Sequence, residues 1–197
     1  MKVSTWNIAA INNNPFEYWV TYHDGDYNDF MRGVESLLSQ GDETLVSDIF
    51  TDVMFKELVD ELRQLEFQSM DMIEKMWAED ISRRKVIQGF LKDKSIGDKR
   101  LASMPDRITN TIHLVDGSTI TRPTVINAFT GSPLSSVKLW WDAWKQFMFQ
   151  TRVEVFLGKN MATQSQMVWS LISPILRAKY PAITPEEQAI SVQLQIL

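Results

Sequence analysis

Residues 135–158 read SSVKLWWDAWKQFMFQTRVEVFLG, and the hydrophobic period changes partway through them. Up to Gln150, the apolar positions Val137, Trp140, Trp141, Trp144, Phe147 and Met148 recur at helical spacing, with Ser135 placed to cap the first turn. From Arg152 to Leu157 the pattern alternates like a strand and closes at Gly158. A chain that switches from helix to strand without a βαβ rhythm belongs to the α+β class. The wide aromatic face of the helix has two readings: a face buried in the core, or a docking face built from Trp140, Trp141 and Trp144.

The rest of the chain extends this pattern. Residues 2–9 carry β-branched Val3, Thr5 and Ile8 and suit a strand, which Asn12-Asn13-Asn14-Pro15 ends with turn chemistry. A helix is expected over 27–39 with Phe30, Val34, Leu37 and Leu38 on one side. A longer one, capped by Ser47 and Asp48, is expected to reach about Phe67, with a stripe of Ile49, Phe50, Val53, Met54, Leu58, Leu62 and Leu65. Met70, Ile73, Met76, Trp77 and Ile81 continue the helical period, making 27–91 a helical block; Lys94–Asp98 reads as a loop. ITNTIHLV and STITRPTVI flank Asp116-Gly117, a two-residue hairpin signal over 108–126. Thr184-Pro185-Glu186-Glu187 is a capping box with proline at the first helical position. The expected fold is a helix-rich α+β single domain or domain fragment. Its parts are a first strand and turn over 2–19, the helical block, the hairpin, and the Trp-rich and C-terminal helices over 135–197. The apolar final run AISVQLQIL reads as a truncated piece, or an end buried in something else.

Composition narrows the chemistry. With no cysteine, disulfides, thiolate nucleophiles and cysteine-bound zinc are ruled out. Only His23 and His113 offer imidazole, so a histidine-rich metal site or a Ser-His-Asp triad is poorly supplied. The chain shows neither the apolar segment of a signal peptide nor a run near ~20 apolar residues. It therefore reads as a soluble intracellular protein of the cytoplasm or an organelle.

Charge is unevenly spread: residues 17–80 hold 17 acids against 4 bases, and 81–107 hold 8 bases against 3 acids. The basic block (Arg83, Arg84, Lys85, Lys92, Lys94, Lys99, Arg100, Arg107) reads first as paired with the acids or solvated. Phosphate or nucleic-acid binding ranks last, because only Phe90 is interleaved with these bases. The acids Glu17, Asp24, Asp26 and Asp29 lack calcium-loop spacing and read as a solvated loop before a cation site.

The run Thr5-Trp6-Asn7-Ile8 resembles the first strand of the endonuclease/exonuclease/phosphatase superfamily. The longer arrangement, STWNIAAINNNPFEYW with GFLKDKSIGDKRLASMPDRITNTI and RPTVINAF, is similar to proteins of algae and related protists that carry this strand followed by a long insertion. The resemblance implies a four-layer α/β sandwich, Mg²⁺-dependent phosphoester hydrolysis, and a place for Asn7 beside the metal. The QE, DxN and SDH motifs that the family carries later are missing from their places, and Glu66 in RQLEF lies in an amphipathic helix. The resemblance thus implies a catalytically incomplete N-terminal portion of a phosphoesterase-like protein, inactive alone, whose partner is the rest of its parent. The alternative is a non-catalytic structural or interaction subunit of a larger assembly, in an algal organelle, with the Trp-rich helix and the apolar end as its contacts.

Overall fold

The structure is a computed structural model that describes residues 23–40, 43–91, 93–124, 129–157 and 162–197. It divides into two compact units, Met1–Glu43 and Thr44–Leu197. The first strand, the asparagine turn and Asn7 lie outside the described residues. In the first unit, α1 (Gly25–Gln40) starts where the Asp24 carboxylate accepts the backbone N–H groups of Asp26 and Tyr27. Among its described side chains Asn28 and Met31 are buried, whereas Phe30 and Leu37, expected inside, are exposed.

The second unit is helix-rich α+β. Its helices are α2 (Val46–Ile49), α3 (Asp52–Gln64), α4 (Met70–Glu79), α5 (Lys94–Lys99), α6 (Ser103–Thr109), α7 (Val137–Lys145), α8 (Pro185–Ala189) and α9 (Ser191–Ile196). Two antiparallel hairpins complete it: β1 (Thr111–His113) with β2 (Thr119–Thr121), and β3 (Arg152–Leu157) with β4 (Ala162–Met167). They are joined where the Val115 N–H donates to the Glu154 carbonyl at 3.0 Å. No helix among the described residues is long and apolar enough to cross a membrane.

Local chemistry explains where the elements break. The long helix expected from Ser47 is two helices, because the Thr51 hydroxyl accepts the Met54 N–H and starts α3 afresh. That restart turns the face: Met54, Phe55, Leu58, Val59 and Leu62 are buried, and Ile49 and Val53 are exposed. α3 ends in a Schellman motif. Phe67 N–H bonds the Leu62 carbonyl, Glu66 N–H bonds that of Arg63, and Glu66 takes the left-handed conformation with φ 61°. Lys94–Lys99, expected as a loop, is helical because Asp93 caps it through the Ser95 N–H at 2.8 Å.

The first hairpin has a three-residue loop where two were expected. Leu114 and Ser118 still pair, Gly117 N–H bonds the Leu114 carbonyl, and Gly117 has φ 85°. A type I turn followed by a left-handed glycine is the standard three-residue solution. Its first strand is shorter than the alternation suggests, since Ile108 and Thr109 are the end of α6. β3 has the expected bounds.

One core holds the unit together. Leu58, Leu62 and Ile73 from α3 and α4 meet Met148 and Phe149 behind α7, Val153 and Val155 of β3, Val168, and Leu194 and Ile196 of α9. The apolar C-terminal run therefore packs inside its own unit, and the cover it was expected to need comes from this chain. Gln193 assists by donating to the Gln68 carbonyl at 3.0 Å.

Candidate functional site

Not all of this interior is filled. Within the second unit a cavity of about 380 Å³ lies among α2, α4, α6, α7 and α9. That volume suits a small organic molecule. Its aromatic wall is made by Phe50, Trp77, Trp140, Trp141 and Trp144.

The wall is set by hydrogen bonds on its far side. The Ser136 hydroxyl caps α7 by accepting the Leu139 N–H, one residue later than the serine marked in the sequence. Trp140 donates its indole N–H to the Pro123 carbonyl at 2.9 Å, Trp141 to Glu57 at 2.7 Å, and Trp77 to Asp52 at 2.8 Å. None of these three acceptors borders the cavity. Trp141 and Trp144 stack with centroids 5.1 Å apart, and Phe50 stands edge-on to Trp141 at 5.2 Å and to Trp77 at 5.6 Å. Offset and edge contacts of this kind fix ring orientation beyond simple burial.

Three ion pairs join Ser95, Thr109 and Gln195 in the polar part of the lining. Arg84 bonds Asp80 at 2.7 Å, Lys99 bonds Glu187 at 2.8 Å, and Arg122 bonds Asp106 at 2.7 Å. Arg84 also reaches Asp93 and the Gly89 carbonyl. This network holds the Asp80 carboxyl below its ordinary range, chiefly through the Arg84 hydrogen bond, and raises the pKa of Arg84 in return. Asp93 is lowered too, first by its bonds from Ser95. With three cations against three carboxylates, the side chains bordering the cavity carry no net charge.

The last wall is α9. The Thr184 hydroxyl and the Glu187 carboxylate form the expected capping box of α8, and Glu187 uses its other oxygen on Lys99. The buried Ser191 hydroxyl accepts the Ile175 N–H at 3.0 Å and fixes the start of α9. Gln195, only 6% exposed, borders the cavity and donates both amide hydrogens, to the Ser173 carbonyl at 3.0 Å and the Ser191 carbonyl at 2.9 Å.

The sequence-level candidates fare differently. Trp140, Trp141 and Trp144 do come together; Trp141 is 4% exposed and the other two are half-buried against the cavity. His23 and His113 are exposed and belong to separate units. Asp24 caps α1 and Asp29 pairs with Arg32 at 2.9 Å, so each has a local structural task; Glu17 lies outside the described residues. Among the described residues no group of three or more His, Asp or Glu could hold a metal ion. The basic block is partly paired, through Arg84 and Lys99. Gln195 and the Lys99–Glu187 pair were missed as site residues. The capping box marked Glu187 in advance and the basic block contained Lys99, but no spacing joined the two.

The fold is a helix-rich α+β domain with a partly open, aromatic-walled pocket whose lining side chains carry no net charge. The chain belongs to the family described as Domain of unknown function (DUF8234), whose model matches residues 43–197. No curated protein matches it, and no solved structure does. The family match overturns the resemblance to the endonuclease/exonuclease/phosphatase superfamily, for which there is no match. Its superfamily motif, Thr5–Ile8, lies outside both the matched region and the described residues, whereas the longer likeness over 89–112 and 122–129 falls inside the matched region.

Proposed function

We propose that residues 44–197 form a non-catalytic binding module that takes a small, mainly apolar molecule into its tryptophan-walled cavity. It keeps the non-catalytic part of the interaction reading but replaces the larger assembly expected as partner with a small molecule. The observation that carries it is the 380 Å³ space bordered by four tryptophans whose rings are already held in place. A preformed site avoids the cost of ordering its own walls when the ligand arrives. Apolar ligand area then contributes about 25 cal/mol per Å² removed from water.

The direct test is titration of ¹⁵N-labelled protein with naphthalene, reading the indole N–H resonances. Saturable shifts are expected at Trp77, Trp140, Trp141 and Trp144, with Trp169, which does not border the cavity, little moved. Ala102 is exposed and borders the cavity, which places it at the mouth. An Ala102→Trp variant should keep the fold and lose the shifts. Absence of saturable shifts in the unaltered protein, or equal shifts in the blocked variant, would overturn the proposal.

A further inference from the structure

The polar groups around the cavity leave one conspicuous acceptor. Gln195 commits both amide hydrogens to backbone carbonyls, and because both partners are acceptors, nitrogen must occupy that side of the amide. Oxygen is thereby turned the other way, and Oε1 accepts no hydrogen bond from any described residue. Among the described residues, the side-chain polar atom that is both fully enclosed and unpartnered is Trp169 Nε1. Gln195 Oε1 therefore keeps access to open space, and its residue, 6% exposed, borders the cavity.

The other polar groups are already engaged. Arg84, Lys99 and Arg122 each hold a carboxylate, and three of the four lining indoles donate outside the cavity. An anionic ligand would have to displace a partner carboxylate, and a cationic one would find the acids occupied. At the shielded Lys99–Glu187 pair, 22% and 13% exposed, either change leaves a poorly solvated charge, which is costly, whereas Asp80 and Asp106 face solvent enough to be re-solvated.

From this we infer that the ligand is an uncharged, largely aromatic molecule bearing a hydroxyl or N–H group, which donates to Gln195 Oε1 while its ring lies against the tryptophans. The inference rests on the binding reading above and adds the ligand's chemical class to it. A buried amide oxygen without a donor loses its solvation and gains nothing in return, so a matching donor discriminates between ligands of one shape.

Three neutral probes of similar shape separate the two claims: naphthalene, 2-naphthol and 2-methoxynaphthalene, with 2-naphthoate as the charged control. Calorimetric titration of the full chain should give 2-naphthol about three- to tenfold tighter binding than the methyl ether, which accepts but cannot donate. The carboxylate should bind more weakly than either. In Gln195→Leu the hydroxyl preference should disappear while naphthalene still binds. If that variant fails to fold, the probe series on the unaltered protein decides alone. Equal affinities for 2-naphthol and its methyl ether, or a preference for the carboxylate, overturn the ligand class and leave the cavity reading intact. Binding of none of the four overturns both.

Discussion

Glu57 on α3 and Trp141 on α7 are joined at the margin of the core by a 2.7 Å hydrogen bond from the indole N–H, and the same carboxylate oxygen takes the Lys145 ammonium. Lys145 also lies 5.4 Å from the Trp141 ring centroid, so one acid orients both an aromatic wall and the cation beside it. Lys145, then Trp141, lower the Glu57 pKa from its ordinary 4.5. A lowered carboxylate pKa adds stability that is present above the unfolded value and is lost as pH falls through the folded one. Glu57→Gln should therefore be less stable than the unaltered protein at pH 7, and the gap should close below about pH 4.5. Because the Glu57 side chain is 44% exposed, solvent screening keeps the ionic share small. Urea denaturation at pH 7 and pH 3.5 checks this, and a gap that stays constant would show that charge is irrelevant.

Glu66 holds the left-handed position of the Schellman motif after α3, where side chains other than glycine are strained. Its side chain is exposed. Glu66→Gly should raise stability by up to about 1 kcal/mol, the relief of strain outweighing the added freedom of the unfolded chain. Chemical denaturation midpoints at constant m-value measure the change; a loss of stability would mean that the glutamate side chain contributes contacts of its own.

Elements with a local cause could be read from the sequence. The alternation in Arg152–Leu157 gave β3, Thr184 and Glu187 gave the start of α8, and Asp116-Gly117 gave a hairpin. Its partner β4 was missed because Ala162-Thr163-Gln164-Ser165-Gln166-Met167 is nearly all polar and is held by ladder bonds to β3 rather than by a buried face. α5 was missed because KSIGDK has no apolar period, and its cap, Asp93, lies just outside the segment. The site was legible only in part. The tryptophans announced a helix face, but the space they border depends on α2, α4, α6 and α9, brought together from distant parts of the chain. The open oxygen of Gln195 depends on two carbonyls 22 and 4 residues away, and no spacing rule encodes that geometry.

Glu187 serves two elements at once, closing the α8 cap with one oxygen and binding Lys99 of α5 with the other. Both side chains of the pair are well shielded, at 22% and 13% exposure. Glu187→Ala should cost about 2–3 kcal/mol, combining the lost cap with a cation left poorly solvated. Glu187→Gln, which keeps an acceptor for the cap, should cost less. In a double-mutant cycle with Lys99→Ala, the coupling should exceed about 0.5 kcal/mol. Purely additive losses would leave the pair without energetic importance and make the cap the whole effect.

Trp141 and Trp144 stack on each other but should respond differently to truncation, and that difference separates core from site. Trp141 is 4% exposed, donates to Glu57, and touches Phe50 edge-on. Trp141→Ala removes a buried ring and leaves the Glu57 carboxylate without its indole partner, so a loss of about 3–5 kcal/mol is expected. Trp144 is half-buried, stacked on Trp141 and edge-on to Phe149 at 5.9 Å. Its replacement by alanine should cost about 1–2 kcal/mol, since less apolar area is removed from cover. The folded Trp144→Ala protein should nonetheless bind naphthalene several-fold more weakly, because it loses one wall of the cavity. Thermal melts paired with calorimetric titration provide both readouts. Unchanged naphthalene affinity in folded Trp144→Ala would return this tryptophan to an ordinary packing role and take one wall away from the proposed site.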